Sequence, residues 1–333
     1  MKRVLDSLNE GFHRVMKERP EVVVIGQDIL DPYGGAFKVT RGLSTDYPER
    51  VITSPISEAG ITGVGIGLAL QKFRPVVEVM FGDFTTLIVD QLINHGTKIY
   101  AMYGQRVPLP LTVRTPMGAR RGYGPTHSQS LERLFMGVPG LNVVAVSPLV
   151  DPGELLTQVI LSDGPSLFVE NKTLYSHPLW SEESSIQGMK VTRSEDTFPS
   201  CTLSYGEEPD VTLVTYGGMT PICLKAAARL REEEELICDV VILHEISPFK
   251  VDAIGASLRK SRRMVVAEEG TYSWGWGAEV IARLSEYRFD APPVRVAARE
   301  VPIPAARSME DEVLPQVRDV VAAAIQTVDS DLR

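Results

Sequence analysis

The sequence predicts an α/β fold of two open, mostly parallel-sheet domains, and three observations carry that reading. Short apolar runs alternate with longer stretches of helical period; the alternation lapses once, and then it restarts. A length of 333 residues suits two domains, each with its own core. Hydrophobic content of 44% and charged content of 23% are ordinary for globular chains, so neither metal nor disulfide is needed to hold the fold.

The elements follow in order. Val4, Leu5, Leu8, Phe12, Val15 and Met16 fall on one side of an N-terminal helix. "EVVVIG" is a short buried strand, and "DILDPYGGAF" is loop chemistry. "RVITS" is a strand, 58–71 a helix, "RPVVEVMF" a strand, 85–103 a helix and "LPLTVRT" a strand. A loop over 115–127 precedes a helix, then come strand "LNVVAVS", helix 151–162 and strand "SLFVE". Residues 171–209 lose the pattern and hold Pro, Ser and Gly, as a connection would. Strands "DVTLVTYG", "DVVILHEI", "RMVVAEE" and "PVRVAA" then alternate with helices at 219–235, 250–260, 276–287 and 310–327. The expected division is residues 1–180, a connection over 181–209, and a smaller domain over 210–333.

Composition narrows the function classes. A net charge of −9 with no Lys/Arg cluster argues against a general nucleic-acid binder. "REEEEL" at 231–236 reads as a solvated helix end. Cys201, Cys223 and Cys238 are scattered, without a CxxC pair, and read as reduced, buried residues. No apolar run approaches the ~20 residues of a membrane span. The N-terminal helix mixes acids with bases and lacks a cleavage motif, so it reads as fold instead of address, and a cytoplasmic location is expected.

One stretch raises a question of chemistry. "VITSPISEAGITGVGIGLAL" (51–70) places Glu58 at the mouth of a glycine-rich apolar helix. The glycines invite a dinucleotide-binding reading, which fails because they lie inside the helix and do not space as G-x-G-x-x-G. Gly60, Gly63 and Gly67 instead share one helical face, for tight internal packing or for a subunit interface. From the residues alone, Glu58 reads as an ordinary acid in a first helical turn.

Several motifs together change that reading. "TSPISEAGITGVGIGLAL", "RPVVEVMFGDFTTLIVDQLINHGTK", "RTPMGARRGYGPTHSQSLE" and "PGLNVVAVSP" resemble the β subunit of the thiamine-diphosphate-dependent 2-oxo-acid dehydrogenases. "DVTLVTYGGMT" and "VVAEEGTYSWGWGAEV" resemble that family's C-terminal domain, so the likeness covers nearly the whole chain. The resemblance implies a transketolase-like fold, a pyrimidine-binding domain followed by a smaller C-terminal one. It also implies half of an α₂β₂ enzyme, whose α subunit holds Mg²⁺ and the diphosphate through a GDG…N motif. No GDG triplet occurs here.

The resemblance assigns roles residue by residue. Glu58 would hydrogen-bond a ring nitrogen of the cofactor's aminopyrimidine and drive its activation. Phe84 would pack on that ring; Phe81, nearby on the same segment, is the alternative lining residue. His127, in "GYGPTHSQ", would face the active site and handle acyl or acceptor chemistry. His13 and His244 have no motif, His95 reads as structural, and His177 lies in the connection. Arg120 and Arg121 read as solvated, or as partners for a substrate carboxylate or an acidic domain. A monovalent cation, K⁺ in kind, would use the backbone carbonyls of Leu111, Ser162 and Gly164.

Two departures bear on the substrate and the acyl acceptor. "LFMGVPG" puts Gly137 where the family carries histidine, and "ILHEISPFKVDAI" changes the charge of a C-terminal segment. The resemblance implies decarboxylation of a 2-oxo acid and transfer of the acyl unit to a lipoyl-bearing acyltransferase. An aldehyde, a second oxo acid or a carrier-protein thiol are alternative acceptors, and a non-catalytic scaffold subunit is a third reading. Ser57 and Ser128 lack the base and acid that a hydrolase would need.

Overall fold

The computed structural model describes residues 2–104 and 107–330. The strands are β1 (Val22–Gly26), β2 (Val51–Thr53), β3 (Arg74–Glu78), β4 (Thr112–Met117), β5 (Asn142–Ala145), β6 (Ser166–Asn171) and β7 (Ser185–Ile186). They continue with β8 (Met189–Arg193), β9 (Cys201–Ser204), β10 (Val211–Tyr216), β11 (Cys238–Leu243), β12 (Glu245–Ser247), β13 (Met264–Thr271) and β14 (Val294–Ala298). The first five helices are α1 (Val4–Glu18), α2 (Leu43–Asp46), α3 (Glu58–Leu70), α4 (Ile99–Met102) and α5 (Pro152–Leu161). The remaining five are α6 (Thr220–Glu234), α7 (Asp252–Ser261), α8 (Trp276–Arg283), α9 (Arg307–Val313) and α10 (Val317–Asp329).

Two seven-stranded sheets result, ordered β12-β5-β6-β4-β3-β1-β2 and β14-β13-β10-β11-β9-β8-β7. In the first, every pairing among β2, β1, β3, β4, β6 and β5 is parallel. In the second, β14, β13, β10 and β11 run parallel, and β9, β8 and β7 add antiparallel strands. The strands β1, β4, β6, β10 and β11 are buried at every position, as parallel strands covered on both faces must be. Among the described residues no helix is long and apolar enough to cross a membrane.

Contacts divide the chain into two units that differ from the linear division expected above. The first holds residues 1–117, 134–181 and 246–248; the second holds 118–133, 182–245 and 249–333. Within the second unit, buried carboxylates capture the backbone of 118–133. Ala119 N–H donates to Glu269 (2.8 Å) and Arg120 N–H to Glu310 (2.8 Å). Residues 182–204 are no bare connection either: "MKVTR" and "CTLS" alternate buried positions with exposed or half-buried ones and form β8 and β9.

Three expected helices also come out differently. Over 85–103 the chain makes a 3₁₀ segment (82–88), a π-helical turn (91–96) and α4. Thr85, Thr86 and Thr97 each turn a hydroxyl back to a carbonyl three or four residues earlier, which competes with a regular helix. The helix expected after residue 127 is only a 3₁₀ turn at Glu132–Leu134. The closing helix is interrupted between α9 and α10, where Pro315 cannot donate its nitrogen.

Glycines set two helix positions in the first unit. A Cβ on Gly11 of α1 would lie 2.5 Å from Gly153 Cα at the start of α5, so the two helices cross at backbone contact. Ser7 Oγ fastens the crossing, donating to Asp151 (2.7 Å) and accepting from Gly153 N–H (3.0 Å). In α3, Gly65 is the residue that packs inward, against Val77 and Leu111. Gly63 and Gly67 are exposed, and a Cβ added to either would meet nothing within 4 Å. Internal packing therefore does not explain the Gly63/Gly67 stripe. Gly11→Ala is expected to lower stability by about 1–3 kcal/mol through overpacking. Gly63→Ala is expected to raise that of the isolated chain by up to ~1 kcal/mol. Urea midpoints of the two variants measure both effects.

Candidate functional site

The first unit gathers its chemistry at the carboxyl ends of the parallel strands, where open α/β sheets place ligands. Ser54 N–H donates to Gly26 O (3.1 Å), so the chains leaving β1 and β2 start side by side. Gln27 follows β1 directly; Glu58 opens α3 four residues beyond that shared point. Both are buried, at 6% and 5% exposure, and Gln27 Nε2 donates to Glu58 Oε1 at 3.3 Å. Glu58 lies in the first turn of α3, where unpaired N–H groups favour an anion.

The segment after β3 supplies an aromatic wall. Phe81 and Phe84 meet edge-on at 5.8 Å between centroids, and Phe37 meets Phe81 edge-on at 5.6 Å. The 3₁₀ segment carrying Phe84 packs against α3 and against β4. It lies so close to β4 that a Cβ on Gly82 would sit 2.2 Å from Met117 Cγ. Phe81 and Phe84 are both half-buried.

Beneath this wall lies a buried charge network. Arg114 Nε and Nη2 donate to the two carboxylate oxygens of Glu170 (2.7 and 2.6 Å), and Nη1 donates to Glu78. Tyr175 Oη donates to Glu170 (2.8 Å), and its ring lies 5.3 Å from that of Phe37. Burial pushes the Glu78 carboxyl up, with Arg114 pulling the other way. Burial also opposes the charge on Arg114, but its two carboxylates more than reverse that and hold its pKa well above the ordinary value. Lys172 is fully buried, with Nζ 5.2 Å from the Phe81 ring centroid. No motif pointed to Gln27 or to this network. The usable signal was a charged residue, Glu78, Arg114 or Glu170, within each of the strand runs "RPVVEVMF", "LPLTVRT" and "SLFVE".

The remaining predicted residues fall elsewhere. His127 belongs to the second unit, half-buried in the 118–133 segment, with Nδ1 3.0 Å from Thr126 Oγ1. Arg120 is not a solvated side chain: Nη2 donates to Pro315 O (2.5 Å), and Nε lies 3.7 Å from Glu269. Arg121 is exposed. Leu111, Ser162 and Gly164 precede β4 and β6, at the amino ends of those strands and so at the end of the sheet opposite Glu58. Each of their carbonyls accepts from the chain itself. Leu111 O accepts from Ser166 N–H (2.8 Å), Ser162 O from Arg74 (2.9 Å) and Gly164 O from Ser162 Oγ (3.3 Å). Gly137 sits in a left-handed turn (φ +71°) with its N–H on Ser247 Oγ (2.9 Å).

A carboxylate at a helix start, an amide beside it and a wall of phenyl rings are the partners of a small aromatic ring bearing N–H donors. They suit an aminopyrimidine. They do not suit a diphosphate or its metal, and among the described residues no group of three or more His, Cys, Asp or Glu could hold a metal ion.

Comparison with known proteins decides the family. Residues 3–178 match the transketolase pyrimidine-binding domain, and 204–320 match the transketolase C-terminal domain. The chain is 37% identical over 326 residues to the mitochondrial pyruvate dehydrogenase E1 component subunit beta-1 of Arabidopsis thaliana, covering 96% of this chain and 88% of that one. It is 32% identical to the human E1 subunit beta over 98% of this chain and 90% of that one. The chain belongs to the pyruvate dehydrogenase E1 β-subunit family. A split-gene transketolase, solved as an inactive β4 tetramer, shares the fold at a TM-score of 0.76 and 21% identity, covering 99% of each chain.

Within this E1 β-type chain, the second unit carries a buried acid of its own. Glu132 accepts from the Tyr216 hydroxyl, and among the described residues its Oε2 has no hydrogen-bond partner. Burial pushes this carboxyl up to about 7; Tyr216 acts against that rise, and the charges of Glu269 and Glu268 add to it. The folded chain thus holds the proton more tightly than the unfolded one. The resulting stability is fully present below about pH 4.5 and is lost as pH rises through about 7, a swing of about 3 kcal/mol. Glu132→Gln should flatten the urea midpoint across that window. In the first unit, Arg114→Met should cost about 3–5 kcal/mol, because it strands two buried carboxylates, and urea denaturation at pH 7 reads that loss.

Proposed function

We propose that this chain is the β subunit of a heteromeric thiamine-diphosphate enzyme that decarboxylates a 2-oxo acid and passes the acyl unit to a lipoyl acceptor. The observation that carries the reading is the buried Glu58 carboxylate at the start of α3, with Phe81 and Phe84 on the segment packed against that helix. Family membership supports it, since the relatives named above are pyruvate dehydrogenase E1 β subunits. When bound, the cofactor would supply a carbanion-stabilising centre for loss of CO₂. Glu58 would accept a hydrogen bond from the pyrimidine's ring nitrogen and so hold the tautomer that can move a proton. The half-buried phenyl rings would hold that ring by edge and face contact and exclude water from the Glu58 side. His127 would exchange a proton with the acyl unit or its acceptor.

The α subunit would bring Mg²⁺ and the diphosphate site, completing an α₂β₂ assembly. The exposed stripe of Gly60, Gly63 and Gly67, with Val64 and Ile56 beside it, supports a helix of that partner approaching closely here. We place the enzyme in the cytoplasm, as the sequence reading expects.

Gly137 favours a second reading of the acceptor. The position has a left-handed backbone and no side chain, so the polar contact that a histidine makes there is missing. An aldehyde, a second oxo acid or a carrier-protein thiol could then take the acyl unit in place of lipoate.

Native mass spectrometry of the chain from its own host, followed by assay of the isolated complex, tests the proposal. A heterotetramer with bound thiamine diphosphate is expected, with Glu58→Gln lowering turnover about 10²–10⁴-fold. Gly63→Leu should block that assembly while leaving the isolated chain folded. Acyl transfer to a lipoyl domain, compared with the other acceptors, separates the two readings. A cofactor-free homodimer, or full turnover by Glu58→Gln, would instead make the chain a scaffold subunit.

A further inference from the structure

We propose that Gln27 is the positioning residue for Glu58: its side-chain amide fixes the carboxylate's direction and keeps a neutral donor, not a second acid, beside it. This rests on the cofactor reading of Glu58 given above.

A buried primary amide is costly unless its hydrogen bonds are made. Gln27 is 6% exposed, and its Nε2 spends a hydrogen on Glu58 Oε1 at 3.3 Å. The placement is enforced by backbone. β1 and β2 are in register at Gly26 and Thr53, and the Ser54 N–H to Gly26 O bond extends the pairing one step past the strands. Gly26 is itself confined, since a Cβ there would lie 2.9 Å from Glu78 Cβ and 3.0 Å from Ile29 Cγ2. The residue after Gly26 therefore reaches the β2–α3 turn with little freedom to move away.

The chemistry of the contact is selective. The amide occupies Oε1 and leaves Oε2 for a ligand, so one oxygen is an anchor and the other a working acceptor. The Thr62 hydroxyl, bonded to the Glu58 carbonyl at 2.8 Å, fixes the backbone of the same residue from the helix side. A leucine at position 27 would keep the volume and remove the anchor. A glutamate would put two carboxylates about 3 Å apart in a buried site, where both cannot ionise together without a large penalty.

The test uses the complex reconstituted with the α subunit, comparing wild type, Gln27→Leu, Gln27→Glu and Glu58→Gln. Two quantities are measured from about pH 5.5 to 8.5: the dissociation constant of thiamine diphosphate from the cofactor-free complex, and kcat/KM for the oxo acid. Gln27→Leu should lower kcat/KM about 10–100-fold, the loss expected for a hydrogen bond to a charged group, mostly in kcat. Gln27→Glu should move the acid limb of both profiles upward by about one pH unit or more. A merely structural residue would lower the amount of assembled complex without moving the profiles. If both Gln27 variants keep wild-type rates, affinities and profiles while Glu58→Gln is inactive, the inference is wrong and the cofactor reading stands. If Glu58→Gln turns over normally, the cofactor reading fails, and the inference fails with it. Should Gln27→Glu not assemble, Gln27→Leu alone decides the matter.

Discussion

The first unit depends on the ion pair between Arg114 and Glu78. The two residues are direct neighbours in the β3–β4 register, so the contact is dictated by sheet pairing and not by side-chain reach. Glu170, on the next strand, completes a fork–fork pair with the same guanidinium. Three adjacent strands are thereby locked near their carboxyl ends, at the level where the loops bearing Phe81, Phe84 and Tyr175 depart. Such a cluster is poor as a source of net stability, because desolvation offsets most of the Coulomb attraction. Its value here is geometric. It fixes the floor from which the aromatic wall rises, and Tyr175 ties the floor to the wall through Glu170 and Phe37.

Helix α3 shows how one element serves two ends. Its inner face is set by Gly65, which lets the helix settle onto Val77 and Leu111. Its outer face keeps Gly63 and Gly67, which no other part of the described residues touches, at a helix-propensity cost that internal packing cannot explain. At its mouth stands Glu58, held by Gln27. A helix this apolar would ordinarily begin with a side-chain cap, yet Ser57 makes no capping hydrogen bond. The helix start is thus committed to the acid.

The second unit uses carboxylates in a different way, as receivers of backbone N–H groups. Glu268 accepts from Trp276 (2.7 Å) and Gly277 (2.9 Å), capping α8, and a Cβ on Gly275 would lie 2.6 Å from that carboxylate. Glu269 and Glu310 hold residues 119–122 in the same manner. Glu132, which burial pushes up to about 7, makes the stability of this unit depend on pH. The segment with His127 is therefore tied down by acids that come from far along the chain.

Apolar period, turn residues and contiguous motifs are local properties. From them alone follow the alternation of buried strands and amphipathic helices, the place of Glu58 at a helix start, and the family. Long-range packing was needed to show that 118–133 joins the second unit, because the carboxylates that hold it lie more than a hundred residues away in sequence. Packing was also needed to show which glycines of α3 face inward, since the period of a helix gives faces but not which face is covered. Gln27 and the Arg114 network emerged only with the fold. A single polar residue in an apolar run says that a partner must exist, and only the strand register says which partner it is.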